Sequence, residues 1–203
     1  MSTWISKALI FPVVVSVLAS GCVLPDATAG VSQSSNGAQS DLRETLRVGG
    51  LKLAGPAGFC PLQATQQRLA GAEFVALAPC SGDAGAILAA TVGGENSAAG
   101  LTIKSEILGP YFRTEEGLIA LRGAGRKDDI SVHDVADYKG AVILQLTRIA
   151  EGKAIESWRA LMQMDGQLVT LTVRPRQGQT VPVRDGKRLI THFVDAIQGA
   201  NRA

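Results

Sequence analysis

The chain is short of the residues on which catalysis most often relies. Histidine occurs twice, as His133 and His192, cysteine three times, and aromatic residues make up 4% of 203 positions. No cysteine has a second cysteine or a histidine at ligand spacing, which excludes the common zinc frameworks. No apolar run reaches the roughly 20 residues that a membrane-spanning helix needs. An excess of one charge is lacking as well, since 20 basic residues face 18 acidic ones and leave a formal +2. So small a balance excludes capture of nucleic acid or an anionic bilayer by field alone. The densest basic stretch, Arg174, Arg176, Arg184, Lys187 and Arg188, is broken by Pro175, Pro182 and Asp185. It holds no aromatic side chain for base stacking and reads as a solvated loop. What is present is 46% apolar and 19% charged residues, the composition of a globular protein. Beyond a targeting segment and a linker, about 150 residues remain, enough for one domain with its own core.

The targeting segment is read from the first two dozen residues. Lys7 supplies a positive charge, and Ala8 to Ala19 form an apolar stretch interrupted by Pro12, too short to span a bilayer. Small residues then lead into a thiol, Leu18-Ala19-Ser20-Gly21-Cys22. This resembles the lipobox of bacterial lipoproteins, with Leu18 one place earlier than the family usually has it. The resemblance implies a signal peptide over residues 1–21 and a diacylglycerol (palmitate-bearing) anchor on Cys22. Ordinary signal peptidase sites also exist at Ala19-Ser20-Gly21 and at Ala27-Thr28-Ala29, and cleavage after Ala29 would leave a soluble periplasmic protein. With lipid on Cys22, the cysteines Cys60 and Cys80 remain as a pair, and in an oxidising compartment such a pair joins. Val23 follows Cys22 where lipoproteins retained in the inner membrane usually carry aspartate. By that resemblance the anchor belongs in the outer membrane, facing the periplasm. Residues 22–41, rich in Ser, Gly and Ala, read as a flexible tether.

A single domain is expected over residues 42–203. Leu46 to Leu53 reads as a first strand weakened by Gly49 and Gly50, followed by Phe74 to Leu77 and Ala86 to Val92. Asn96 or Ser97 as cap predicts a helix over Ala98 to Leu108, ended by Gly109-Pro110. A second short helix runs from Glu115 to Leu121 and is closed by Gly123. Strands follow at Ile130 to His133, Ala141 to Ile149, Ser157 to Met164 and Gln167 to Arg174, with turns at Lys139-Gly140 and Asp165-Gly166. Leu189, Phe193, Ala196 and Ile197 form an apolar stripe on a terminal helix after Asp185. Antiparallel hairpins with segregated helices give an α+β class: a sheet of about six to seven strands, a central helical region and a C-terminal helix packed on it.

Two further resemblances bear on function. Pro56-Ala57-Gly58-Phe59-Cys60, Phe74-Val75-Ala76-Leu77 with Cys80, Tyr111 to Gly117 (YFRTEEG) and Trp158-Arg159-Ala160 together resemble a family of small exported proteins of Gram-negative bacteria. That likeness covers residues 48–173 and implies export without any established activity. The order of elements is also similar to PsbP-like domains, α/β/α sandwiches used for accessory and binding roles.

Candidate chemistry is sparse. His133-Asp134 with Asp137 suggests an acid–base pair, but neighbours on a strand point to opposite faces, which keeps His133 and Asp134 from cooperating. His192 beside Phe193 reads as packing at a helix flank. Gly117 to Gly123 lacks the lysine of a phosphate loop, and Gly123-Ala124-Gly125 lacks the third glycine of a dinucleotide fingerprint, so no cofactor is expected. Lys127-Asp128-Asp129 lacks the spaced oxygens of a calcium loop and reads as a turn. The expectation is a lipid-anchored envelope protein acting as a binding or accessory module for another envelope protein, with no nucleic acid and no metal. Two alternatives stand beside it: a periplasmic hydrolase assembled from His133, Asp134 and Ser157, and a small apolar ligand binder around Trp158, Met162 and Met164.

Overall fold

The computed structural model of the chain describes residues 45–82, 85–123 and 128–202. The signal segment, Cys22 and the tether lie outside the described residues. Among the described residues ten strands and three α-helices follow in order: β1 (Thr45–Val48), β2 (Leu51–Ala54), β3 (Phe59–Pro61), β4 (Gln67–Leu69), β5 (Ala72–Pro79), β6 (Ala86–Val92), α1 (Ser105–Tyr111), α2 (Glu115–Arg122), β7 (Asp129–Tyr138), β8 (Ala141–Ala150), β9 (Lys153–Met164), β10 (Gln167–Pro175) and α3 (Val183–Ala200). The fold class is α+β. Eight strands make one antiparallel sheet in the order β3-β5-β6-β10-β9-β8-β7, with β4 also paired to β5. The β1–β2 hairpin stands apart as a two-stranded sheet.

Turn chemistry explains the hairpins. Lys139-Gly140, Glu151-Gly152 and Asp165-Gly166 each place two successive residues at positive φ, as two-residue hairpins of right-handed twist require. Gly49-Gly50 does the same and splits the expected first strand into β1 and β2. Long strands then align: β8 pairs with β9 over ten positions, from Ala141↔Met162 to Ala150↔Lys153.

Two expectations about the helices are corrected. Residues 93–104 are not helical, because the segment is tied to β10 instead: the Ala98 N–H donates to the Gly166 carbonyl, and Ser97 Oγ accepts from the Leu168 N–H. Asn96 sits at positive φ and caps nothing. The helix α1 begins only at Ser105 and continues through Gly109-Pro110. Pro110 lies in the last turn of so short a helix, where one lost N–H bond is tolerated, and Gly109 is buried against Val135 on β7. The second helix forms as expected, with Thr114 Oγ1 accepting from the Gly117 N–H and Gly123 at positive φ after its end. At the C-terminus α3 begins at Val183, two residues before Asp185.

The main core lies between one face of the sheet and α3, which packs on β2, β8, β9 and β10. Val75, Leu77, Leu88, Ala90, Trp158, Ala160, Leu171 and Val173 face Ile190, Phe193, Val194 and Ile197 there. Trp158 is held directly beneath Gly186: a Cβ on that glycine would lie 2.3 Å from the indole ring. On the opposite face, α1 and α2 pack on β7 and β8 around a smaller cluster of Phe112, Leu121, Ile130, Leu144 and Leu146.

Candidate functional site

The two cysteines among the described residues are joined. Cys60 on β3 and Cys80 just past the end of β5 form a disulfide, 20 positions apart with their Cα atoms 5.0 Å apart. The segment it clamps covers the outer edge of β5: β3 pairs Pro61 with Leu77, β4 pairs Gln67 with Phe74, and between them the Ala76 N–H donates to Thr65 Oγ1. By loop entropy a closed loop of this length is worth about 3 kcal/mol.

His133 and Asp134 do not point to opposite faces, contrary to the alternation expected of a strand. A β-bulge between Val132 and Asp134 leaves His133 as the extra residue on β7. Asp134 Oδ2 then reaches Lys187 Nζ on α3 at 3.3 Å, while His133 Nε2 lies 2.7 Å from Thr147 Oγ1 on β8. Thr147 donates its hydroxyl proton to Glu156 on β9 at 2.5 Å, which leaves Oγ1 to accept from His133 Nε2–H. Sequence reasoning missed Thr147 and Glu156 because they meet His133 only across three strands. Ser157 lies between Glu156 and Trp158 on the same strand, so its side chain is on the other face of the sheet. His133, Asp134 and Ser157 are therefore not brought together. Asp137 accepts from the N–H and hydroxyl of Ser105, at 2.9 and 2.6 Å, and these bonds hold its carboxyl below the ordinary value.

The other expected positions are occupied by packing and ion pairing. Trp158 is 1% exposed and Met162 1%, so they form core rather than the wall of an open pocket. Asp128 pairs with Arg148 at 3.7 Å. No group of three or more His, Cys, Asp or Glu among the described residues is placed to hold a metal ion. His192 lines a shallow groove of about 290 Å³ with Phe59, Val181 and Leu189, beside the Asp185–Arg188 pair. A second hollow of about 380 Å³ lies among the turns at Gly49-Gly50 and Asp165, with Glu95, Asn96 and Gln167. Neither contains His133, Thr147 or Glu156.

Carboxylates elsewhere serve as ties between elements. Glu73 on β5 binds Arg68 and accepts from the Gly49 N–H at 2.7 Å, and both interactions hold its carboxyl below the ordinary value. Burial pushes Asp195 up, but hydrogen bonds from Lys139 at 2.7 Å and Tyr138 at 2.9 Å outweigh it and leave the carboxyl low. The same contact with Asp195 raises Lys139.

The surface feature that remains is the sheet face away from α3. On β5, β6, β10 and the near part of β9, every second residue points there: Phe74 and Ala76, Ile87, Ala89 and Thr91, Thr170 and Thr172, and Leu161. All are half-buried, whereas their neighbours Val75, Leu88, Ala90, Leu171 and Val173 are fully buried. Among the described residues α1 and α2 lie over β7 and β8, with Leu161 of β9 packed against their cluster, and no helix packs extensively on this side of β5, β6 and β10. On the helices over β7 and β8, Ile107 and Tyr111 on α1 and Ile119 on α2 are 43–51% exposed. Arg174, read from sequence as part of a solvated loop, belongs to β10 and stands on this face opposite Ile87.

No known family model matches the chain, and no curated protein matches it either.

Proposed function

We propose that this is an exported envelope lipoprotein, anchored through Cys22 in the outer membrane and facing the periplasm, whose disulfide-stapled domain binds another envelope protein. The observation that carries the binding role is the largely uncharged face of β5, β6 and β10 that no helix among the described residues covers. An outward sheet face whose central row carries no charged residue favours contact with a partner over plain solvation. Catalysis has less support. The hydrogen-bonded set His133–Thr147–Glu156 lies in neither cavity, and Ser157, the nucleophile expected beside His133, stands on the opposite face of the sheet. Support for the anchor comes from the apolar stretch Ala8 to Ala19 and the Leu18-Ala19-Ser20-Gly21-Cys22 motif.

Metabolic labelling with palmitate tests the anchor: the wild-type chain takes up label, and Cys22→Ser loses it and appears in the soluble periplasmic fraction. Membrane fractionation unchanged by Cys22→Ser would remove the lipoprotein reading. Amine-reactive crosslinking of intact envelopes tests the binding role, with an adduct of discrete protein mass expected. Its absence at every crosslinker length would remove that role.

A further inference from the structure

The uncovered face has the shape of a seat for one helix. Cross-strand registers define its rows: Phe74, Thr91, Thr170 and Leu161 make the first, and Ala76, Ala89, Thr172 and Arg159 the second. The middle of each row is small, Thr or Ala, while Phe74 on β5 and Leu161 on β9 stand taller at its sides. Strands lie about 4.8 Å apart, so β5 to β9 spans about 14 Å, and a helix with its side chains is about 10–12 Å across. A solvated face of an antiparallel sheet ordinarily alternates polar and charged residues with the buried ones. Here the first row has no charged residue at all, and the outward positions of β5, β6 and β10 carry Arg174 but no carboxylate. Arg159 ends the second row, and Arg174 stands exposed one step beyond it. An uncharged floor of alanines and threonine methyls between Phe74 and Leu161, with exposed Arg174 at one end, complements a segment that is apolar on one side and acidic beside it.

We propose that this floor receives a single amphipathic helix of the partner protein, its apolar stripe lying over Thr91, Thr170 and Thr172 and its acidic residues reaching Arg174. The proposal rests on the binding role above and names the partner's chemistry. A photo-crosslinking amino acid placed at Thr172 of the full-length chain, in intact envelopes, tests it. The adduct is expected on a partner segment with apolar residues at helical spacing and Asp or Glu beside them. A synthetic peptide of that mapped segment is expected to bind the purified full chain as a helix. Arg174→Glu is expected to lower the adduct yield and the peptide affinity about tenfold, while Arg174→Lys retains both. An adduct to lipid, to residues 1–44 of this chain, to a second copy, or to an extended or basic segment would overturn the proposal. So would a yield indifferent to Arg174→Glu. If amine-reactive crosslinking traps a partner and Thr172 traps none, the helix seat is wrong and the binding role stands. If both trap nothing, the binding role itself has failed.

Discussion

The two faces of the large sheet are made by the same strands and are finished differently. Toward α3, β6 presents Leu88, Ala90 and Val92 and β10 presents Val169, Leu171 and Val173, each at most 1% exposed. Away from α3, the alternate residues Ile87, Ala89 and Thr91, and Thr170 and Thr172, are only half-buried. Among the described residues, one face is closed by an 18-residue helix and the β1–β2 hairpin, and the other is closed where α1 and α2, of 7 and 8 residues, cover β7 and β8. Stability is therefore expected to come mainly from the first face, leaving much of the second as surface. That division is what a binding module needs, because residues that hold the fold cannot easily be given over to a partner.

The sharpest way to break the comparison is to damage the closed face at its tightest point. Trp158 is 1% exposed, and its buried indole N–H has no hydrogen-bond partner among the described residues. Trp158→Ala is expected to cost about 4 kcal/mol, and Gly186→Ala about 2 kcal/mol or more. The second figure runs against helix propensity, which favours alanine by about 1 kcal/mol. Contact with a ring that cannot yield at 2.3 Å decides the sign. Urea unfolding reads both as a lower midpoint with unchanged slope. A Gly186→Ala protein as stable as the wild type would mean that α3 does not sit on the sheet as described.

A smaller effect tests the tie between the β1–β2 hairpin and the sheet on that same face. Glu73 accepts from Gly49 and Arg68, and replacing it with glutamine removes the charge from both bonds. Hydrogen bonds to charged groups suggest a loss of about 1 to 2 kcal/mol at neutral pH. Because the folded carboxyl lies below its ordinary value, this stabilisation is present above the unfolded pKa and is lost as pH falls through the folded one. The gap between wild type and Glu73→Gln should therefore narrow on acidification. A gap that stays constant would assign the effect to packing. Lys139 behaves in the opposite sense: with its pKa raised by Asp195, its contribution persists through neutral pH and fades only as alkaline pH passes the raised value.

Much of this division was legible in the sequence. Alternation made β6 and β10 readable almost residue by residue but caught β9 only from Ser157, four residues after its start at Lys153, and paired left-handed turn residues such as Asp165-Gly166 marked hairpins. The apolar stripe at Leu189, Phe193, Ala196 and Ile197 located α3 and the face it buries. What could not be read was set by contacts distant in sequence. The loop around Asn96 looks like a helix start, yet Ser97 and Ala98 bond to Leu168 and Gly166 about 70 residues away. The strands β3 and β4 have 3 residues each and exist because the edge of β5 needs partners. The bulge at His133 inserts one residue into a run with no glycine to announce it, and so the His133–Thr147–Glu156 chain was hidden. The uncovered face was invisible for another reason: alternation says which residues share a face, and not whether a helix will cover it.

The smallest expected effect is the most direct test of the contrast, since it uses adjacent residues of one strand. Val173 and Thr172 share β10, differ little in volume and point to opposite faces, Val173 fully buried and Thr172 half-buried. Val173→Ala removes two methyl groups from a packed core and is expected to cost about 2 kcal/mol. Thr172→Ala lies on the uncovered face, where its cross-strand neighbours are Ala89 and Arg159, and is expected to stay within about 0.5 kcal/mol of wild type. Unfolding midpoints measured on the isolated full-length chain should therefore separate the two variants clearly. If Thr172→Ala destabilises as much as Val173→Ala, something within this chain already closes that face. It would then be a second core and not a surface for a partner.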